Sequence, residues 1–183
     1  MSKKIGIIVG SLRKGSFTRS IANELKAQLP EGYEGEFLEI AQLPLFDQDY
    51  EAAGATPESY VDFRKQVEAC DAFIFATPEY NRSFPAAIKN ALDVASRPYG
   101  SSKWNGKPAA VVSVSPGAIG GFGANHHLRQ VLTFLNMPIL QQPEAYISKV
   151  AELLDGNGGF KSENTQKFAQ SIVDAFVQHI DRY

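Results

Sequence analysis

The sequence predicts an α/β fold, in which a parallel sheet is covered by helices on both faces. Two observations support it. Five short apolar runs alternate along the chain with five segments that have helical spacing of apolar residues. No repeat or low-complexity linker interrupts this alternation. With a hydrophobic content of 44% and a charged content of 21%, the chain has the composition of an ordinary globular protein, and we expect one domain over residues 1–183.

The individual elements follow from apolar patterning and from the positions of proline and glycine. The predicted strands cover residues 5–10, 33–40, 72–77, 109–115 and 137–147. The predicted helices cover residues 18–29, a segment that begins near residue 57, residues 86–96, a segment marked by Leu128 to Leu135, and residues 163–180. Pro30 ends the first helix and Pro85 opens the third. We expect residues 43–59 to form a loop.

The loop after the first strand combines glycines, hydroxyl side chains and cations, and a helix follows it. The free amides of a helix N-terminus and the helix dipole favour an anion at such a place. Gly10 to Gly15 fits G-x-x-x-x-G, but Ser16 and Phe17 replace the lysine and hydroxyl of a nucleotide-hydrolysing P-loop. A dinucleotide fingerprint does not fit at Gly10, and no acidic residue has the right spacing. The pattern indicates a monophosphate site at Ser11, Arg13, Ser16 and Thr18; the alternative is a surface turn whose hydroxyls cap the helix.

Two more loops are expected at the same edge, because ligands of open α/β sheets bind beyond the carboxyl ends of the strands. Residues 77–85 are framed by two prolines and carry Tyr80 and Phe84, which suits contact with a planar heterocycle. Residues 115–123 contain four glycines, which allow close approach of backbone to a flat ligand. Each loop alone could be an ordinary connection. Together with the phosphate loop they predict a bound mononucleotide.

Composition and residue counts exclude several other classes. A net charge of −2 argues against nucleic acid or an anionic membrane as the main partner. The chain lacks 18 consecutive apolar residues, so we expect no membrane insertion. One cysteine, Cys70, cannot form an internal disulfide, which favours a cytoplasmic location. His126 and His127 are adjacent and would point about 100° apart on a helix, so we expect no metal site.

Three segments carry a resemblance to a known family. GSLRKGSFTR, TPEYNRSFPAAIKNALD and SPGAIGG resemble the signature loops of the NADPH-dependent FMN reductases, a flavodoxin-like group that includes chromate and quinone reductases. The resemblance covers nearly the whole chain. It implies a flavodoxin-like three-layer sandwich with sheet order 2-1-3-4-5, noncovalent FMN and NAD(P)H as cosubstrate. It further implies two-electron hydride transfer through flavin N5 to quinones, flavins, azo dyes or chromate.

The resemblance also implies site residues. The FMN phosphate would be held by Ser11, Arg13, Ser16, Phe17 and Thr18. The isoalloxazine ring would be lined, largely through backbone groups, by Pro78, Glu79, Tyr80 and Asn81, and bordered by Ser115 and Gly117. No side chain is expected to be a catalytic acid or base, because the flavin carries the chemistry.

Two other functions stay open. A flavodoxin-type electron carrier would bind FMN and dock to protein partners, but Arg13 in the phosphate loop and the modest net charge disfavour it. A non-catalytic sensor of a phosphate ligand would leave the PEYN segment unexplained.

We also expect at least a homodimer. The third predicted helix and the connection after it carry more apolar side chains than one buried helix face requires. These side chains would lie near the open face of the flavin, and a second copy of the chain would cover both. The resemblance adds that dimers can pair into tetramers. The alternative is that the aromatic side chains of this set pack under their own loop; the set is Phe84, Ile88, Leu92, Tyr99 and Trp104.

Overall fold

A five-stranded parallel sheet forms the centre of the protein. The computed structural model describes residues 2–52 and 54–183. The strands are β1 (Lys3–Val9), β2 (Tyr33–Phe37), β3 (Ala72–Pro78), β4 (Ala109–Val114) and β5 (Ala145–Ile147). Their order is β2-β1-β3-β4-β5 and every neighbouring pair is parallel. The predicted order 2-1-3-4-5 is therefore confirmed.

Helices cover both faces of the sheet, as expected. They are α1 (Phe17–Ala27), α2 (Asp49–Ala52), α3 (Glu58–Ala69), α4 (Ala86–Ala95), α5 (Phe122–Phe134), α6 (Val150–Leu153) and α7 (Glu163–Ile180). One core lies between the sheet and α1, α6 and α7, and the other between the sheet and α3, α4 and α5. Successive residues of β3 belong to opposite cores: Ile74 packs toward α1 and α7, whereas Phe73 and Phe75 pack on the other face. Among the described residues, no helix combines the length and apolarity needed to cross a membrane.

Several predicted boundaries were wrong. The fifth strand is limited to Ala145–Ile147, because Pro138 and Pro143 lack the N–H that a strand interior needs; Ile139 forms only an isolated bridge with Ala109. The second strand ends at Phe37. The expected loop over residues 43–59 contains the short helix α2, and Ala53 lies outside the described residues. The short helix α6 was not predicted.

The apolar surface expected around the third predicted helix is mostly interior. Ile88, Leu92 and Trp104 are fully buried, and only Tyr99 is strongly exposed, at 93%. The Trp104 indole N–H donates to the Leu92 carbonyl at 3.0 Å, and its ring centroid lies 4.9 Å from that of Phe73. Trp104 therefore packs under its own connection, and the observation on which we based the expected dimer is wrong for these three residues.

Trp104 and Tyr99 provide a matched pair for a stability test. Trp104→Ala should lower the free energy of unfolding by about 3–5 kcal/mol, since it leaves a large cavity in the core. Tyr99→Ala should change it by no more than about 0.5 kcal/mol, because that side chain is in solvent. Urea denaturation of both variants measures the difference. A loss below about 1 kcal/mol for Trp104→Ala would contradict the described packing.

Candidate active site

A cavity of about 270 Å³ lies at the carboxyl ends of β1, β3 and β4. Three loops that follow these strands meet there, as the fold rule for open sheets requires. All but two of the eleven predicted site residues line it: Ser11, Arg13, Ser16, Phe17, Thr18, Pro78, Glu79, Tyr80 and Ser115.

Asn81 and Gly117 do not line the cavity. Asn81 lies in a tight turn beyond it, with φ of 51°. The Gly117 amide donates to the Ser115 hydroxyl at 3.0 Å, and its carbonyl accepts from the Lys149 amide at 3.1 Å. Three residues that were not among the predicted site residues also line the cavity, namely Val114, Pro116 and Val150. Val150 was missed because the short helix α6, which places it there, has no clear periodic signal.

The loop after β1 presents a run of backbone donors. The Gly10 amide still pairs with the Ala76 carbonyl at 2.8 Å. From Ser11 to Thr18, no amide donates to a backbone carbonyl of the residues that the structure describes. These groups lie at the N-terminus of α1, where the helix dipole is positive. The loop is therefore built to receive an anion.

Hydroxyl groups and one cation complete this part of the cavity. Ser16 is the N-cap of α1, and its Oγ accepts from the Arg19 amide at 3.3 Å. Ser11 and Thr18 are buried yet line the cavity, so their hydroxyls can reach a ligand. The Arg13 guanidinium is exposed at the mouth, 5.8 Å from the Phe17 ring centroid. Ser16 therefore caps α1, as the alternative interpretation of this loop expected, and it also lines the cavity.

The loop after β3 forms a closed turn. Tyr80 and Ser83 exchange backbone hydrogen bonds of 2.8 and 3.0 Å, and the turn between them has φ of 51° at Asn81 and 67° at Arg82. Left-handed backbone at two consecutive non-glycine residues is uncommon and costs energy. The turn leaves the Tyr80 side chain half exposed at the cavity.

Helix α5 holds this turn in place. The Glu79 carboxylate is 13% exposed, and its Oε2 accepts from the Ala124 amide in the first turn of α5 at 3.1 Å. Ser83 Oγ lies 3.1 Å from His127 Nδ1. A Cβ on Gly123 would lie 2.7 Å from the Arg82 carbonyl oxygen, so only glycine permits this approach. From the sequence we expected Glu79 to act mainly through its backbone, and this side-chain contact was not predicted. A glycine at position 123 was the one sequence feature that could have indicated a close approach between α5 and the turn.

The cysteine and the histidines lie apart from the cavity lining. Cys70 is buried in the core, as expected, and burial raises the pKa of its thiol to about 11, so it is a poor nucleophile. His126 Nε2 lies 2.8 Å from the Tyr146 hydroxyl. Within residues 2–52 and 54–183, no group of three or more His, Cys, Asp or Glu side chains could hold a metal.

Comparison with known proteins agrees with this geometry. The family model of the NADPH-dependent FMN reductases matches residues 3–152. The chain belongs to this family. It is 51% identical over 176 residues to a quinone reductase of Pseudomonas putida, covering 96% of this chain and 94% of that protein. It is 43% identical over 177 residues to a 2-hydroxy-1,4-benzoquinone reductase of Burkholderia sp., covering 97% and 96%.

A solved structure shows the same fold. FerB, a flavoenzyme NAD(P)H:(acceptor) oxidoreductase from Paracoccus denitrificans, is 41% identical, with a TM-score of 0.92 over 98% of both chains. The predicted family, the flavodoxin-like sandwich and an oxidoreductase of the FMN and NAD(P)H type are therefore confirmed.

The residues present fit the cofactor of this family. The part of the cavity that the loop after β1 forms offers buried hydroxyls and unpaired amides, which suit a phosphate. The part that the loops after β3 and β4 form offers Pro78, Tyr80 and Val114, whose apolar surfaces suit a flat ring.

Glu79→Ala should loosen the turn. The substitution removes a charge-assisted hydrogen bond to α5, worth about 1.5–3 kcal/mol. Amide hydrogen exchange of Tyr80 and Ser83 should then accelerate roughly tenfold or more. The measurement is amide exchange followed by NMR.

The control is Glu163→Ala, which removes a carboxylate from the first turn of α7, where it forms an exposed ion pair with Lys167. Exchange at Tyr80 and Ser83 should be unaffected by it. Equal exchange rates in the Glu79 variant and the unmodified protein would contradict the contact's role.

Proposed function

We propose that this protein is a cytoplasmic FMN-dependent NAD(P)H:quinone oxidoreductase, acting as one FMN-binding domain over residues 1–183. The observation that carries the proposal is the meeting of an anion-binding loop and two ring-sized loops in one cavity. The names of the relatives support quinones as acceptors. The single cysteine, buried and unpaired, agrees with a reducing compartment. Flavins, azo dyes and chromate are further acceptors for the same site.

At the phosphate end, the chain supplies donors and charge. The amides from Ser11 to Thr18, including that of Phe17, and the hydroxyls of Ser11, Ser16 and Thr18 would bind the phosphate oxygens of FMN. Arg13, which lines the same cavity, would supply a counter-charge. Because part of this site is buried, it would exclude water from one side of the phosphate and strengthen these contacts.

At the ring end, the chain orients the cofactor and leaves a face accessible. Pro78, Glu79 and Tyr80 would line the flavin ring, and Asn81 would support them from the turn. Ser115 would border the ring, and the Gly117 amide donates to the Ser115 hydroxyl. Bound FMN supplies hydride acceptance from NAD(P)H and hydride donation to the acceptor at N5. A quinone also needs a proton, which solvent can supply at the mouth, where Tyr80 is half exposed.

A flavodoxin-type electron carrier is the second candidate, since it would share the fold and the cofactor. Arg13 at the phosphate loop and the exposed mouth favour a reductase that admits small acceptors. Steady oxidation of NAD(P)H with a small quinone, in the absence of any partner protein, would support the reductase and contradict the electron carrier.

Absorbance and turnover test the proposal together. Purified protein supplied with FMN should show the visible flavin bands and should oxidise NADPH or NADH with 1,4-benzoquinone as acceptor. Flavin-free protein is the control and should be inactive until FMN is added. A colourless protein whose spectrum does not change on FMN addition would refute the proposal.

Arg13→Ala tests the phosphate contact. A charge-assisted contact to a dianion is worth about 1.5–3 kcal/mol, so the Kd for FMN should rise roughly ten- to a hundredfold. The affinity for riboflavin, which lacks the phosphate, should hardly change. Quenching of flavin fluorescence measures both constants. Lys26→Ala removes a cation from α1, outside the cavity, and should leave both constants unchanged. An equal loss of affinity for FMN and riboflavin in Arg13→Ala would contradict a phosphate contact.

We further propose a homodimer, with pairing of dimers into a tetramer as the larger form. The support now comes from the loops at the carboxyl edge and not from the buried Trp104. Four apolar or aromatic residues that follow β1, β3 and β4 are each about half exposed, namely Leu12, Tyr80, Ile119 and Phe122. A second copy would cover this surface and form a wall of the acceptor pocket.

Light scattering at micromolar concentration tests the assembly. The expected mass is at least twice that of one chain. Ile119→Asp should dissociate it, since a charge replaces an apolar contact, whereas Leu45→Asp, at an exposed site elsewhere, should not. A monomer with full reductase activity would exclude a role for the second copy.

A further inference from the structure

The lining of the candidate active site carries two opposite charges. Among the described residues that form this lining, Glu79 is the one acidic residue and Arg13 the one basic residue. Arg13 belongs to the loop after β1, which suits a phosphate, whereas Glu79 belongs to the loop after β3, which suits a flat ring. The cavity therefore offers a positive charge to one part of a mononucleotide and a negative charge to the other.

The Glu79 carboxylate is fixed in place and largely withdrawn from solvent. Its side chain is 13% exposed, and its Oε2 accepts from the Ala124 amide at 3.1 Å. Within the described chain its ion-pair partner is Arg82, with 3.5 Å between Arg82 Nη1 and Glu79 Oε1. The Arg82 side chain is 76% exposed, so water screens that cation and the pair is weak. A negative charge thus remains at the cavity.

Such a charge matters because hydride transfer changes the charge of a flavin ring. A hydride carries two electrons and one proton, so a neutral ring that accepts it becomes an anion unless it takes up a second proton from solvent. A fixed negative charge beside the ring destabilises this anion relative to the neutral oxidised ring. The protein then binds reduced FMN less tightly than oxidised FMN, and the reduction potential of the bound cofactor falls.

We propose that the Glu79 carboxylate lowers the reduction potential of bound FMN and makes the reduced cofactor a stronger hydride donor. The inference rests on the proposed function, because it requires FMN in this cavity. Glu79 then has two roles: its hydrogen bond to α5 positions the turn after β3, and its charge sets the potential. A lower potential extends the range of acceptors to quinones that are harder to reduce.

Glu79→Gln separates the charge from the hydrogen bond, since the glutamine amide oxygen can still accept from the Ala124 amide. The potential of FMN-loaded protein is measured against a reference dye at mildly alkaline pH, where reduced flavin is an anion. It should rise by about 30 mV, which for two electrons is about a tenfold gain in affinity for reduced over oxidised FMN. Arg82→Gln should lower it by less, because that cation is in solvent. Glu163→Gln, at the start of α7 and outside the cavity, should leave it unchanged.

A binding measurement without turnover completes the test. Anaerobic titration with oxidised FMN and with dithionite-reduced FMN gives the two dissociation constants, and Glu79→Gln should shift their ratio about tenfold in favour of the reduced form. Amide exchange at Tyr80 and Ser83 should stay as in the unmodified protein, which shows that the turn is intact.

The outcomes distinguish the inference from the proposed function. A potential that Glu79→Gln does not raise, in protein that binds FMN and reduces quinones, would overturn the inference and leave the proposed function standing. A rise in Glu79→Ala that is absent in Glu79→Gln would assign the effect to loosening of the turn and would also overturn it. If neither form of FMN binds, the proposed function fails and the inference fails with it.

Discussion

The unpaired amides from Ser11 to Thr18 are the constraint on which the site depends. Backbone donors that the chain does not satisfy itself are costly unless water or a ligand pairs with them. They cannot rearrange into a longer helix, because Ser16 caps α1 and the loop departs from the buried strand β1. A Cβ on Gly10 would lie 2.6 Å from Ile88 Cδ1, so the chain leaves β1 in close contact with α4. The loop is thus held in a conformation in which an anion can pair with its free amides.

A second constraint positions the ring end. The left-handed residues Asn81 and Arg82 each cost of order 1 kcal/mol. Hydrogen bonds within the turn offset this cost, as do the bond that the Glu79 carboxylate accepts from α5 and the contact between Ser83 and His127. The negative Glu79 carboxylate at the N-terminus of α5 also interacts favourably with the helix dipole. As a result, Tyr80 is held at the cavity by a turn that its own hydrogen bonds and α5 support.

Much of the fold was predictable, because local and long-range signals agree in the central strands. In β3, residues 72–77 are both strand-like in sequence and buried on both faces. In β5, local apolarity over residues 137–147 was misleading, since two prolines prevent continuous pairing. Trp104 was misassigned for a different reason. Its segment is polar, so burial of the indole under its own connection was only the alternative prediction, and the packing of Trp104 on Phe73 and Phe75 depends on long-range contacts.

In the candidate site, too, local features were predictable from the sequence and long-range contacts were not. The three loops were recognisable because each follows a strand and carries its own unusual composition, and the structure brings nine of the predicted residues into one cavity. Contacts between loops were not recognisable. Glu79 with Ala124, and Arg19 with Glu39, join segments 45 and 20 residues apart, and their meeting depends on where α5 begins and β2 ends.

Arg13 also borders a second cavity, of about 300 Å³, on the side of α1 and β2. Lys14 and Arg19 line this cavity with Arg13, and Arg19 pairs with the Glu39 carboxylate at 3.2 Å. Three cations beside one carboxylate leave a surplus of positive charge next to the loop after β1, although the protein as a whole has a net charge of −2. Because this surplus lies at the N-terminus of α1, its field adds to that of the helix dipole, and both favour an anion at the loop.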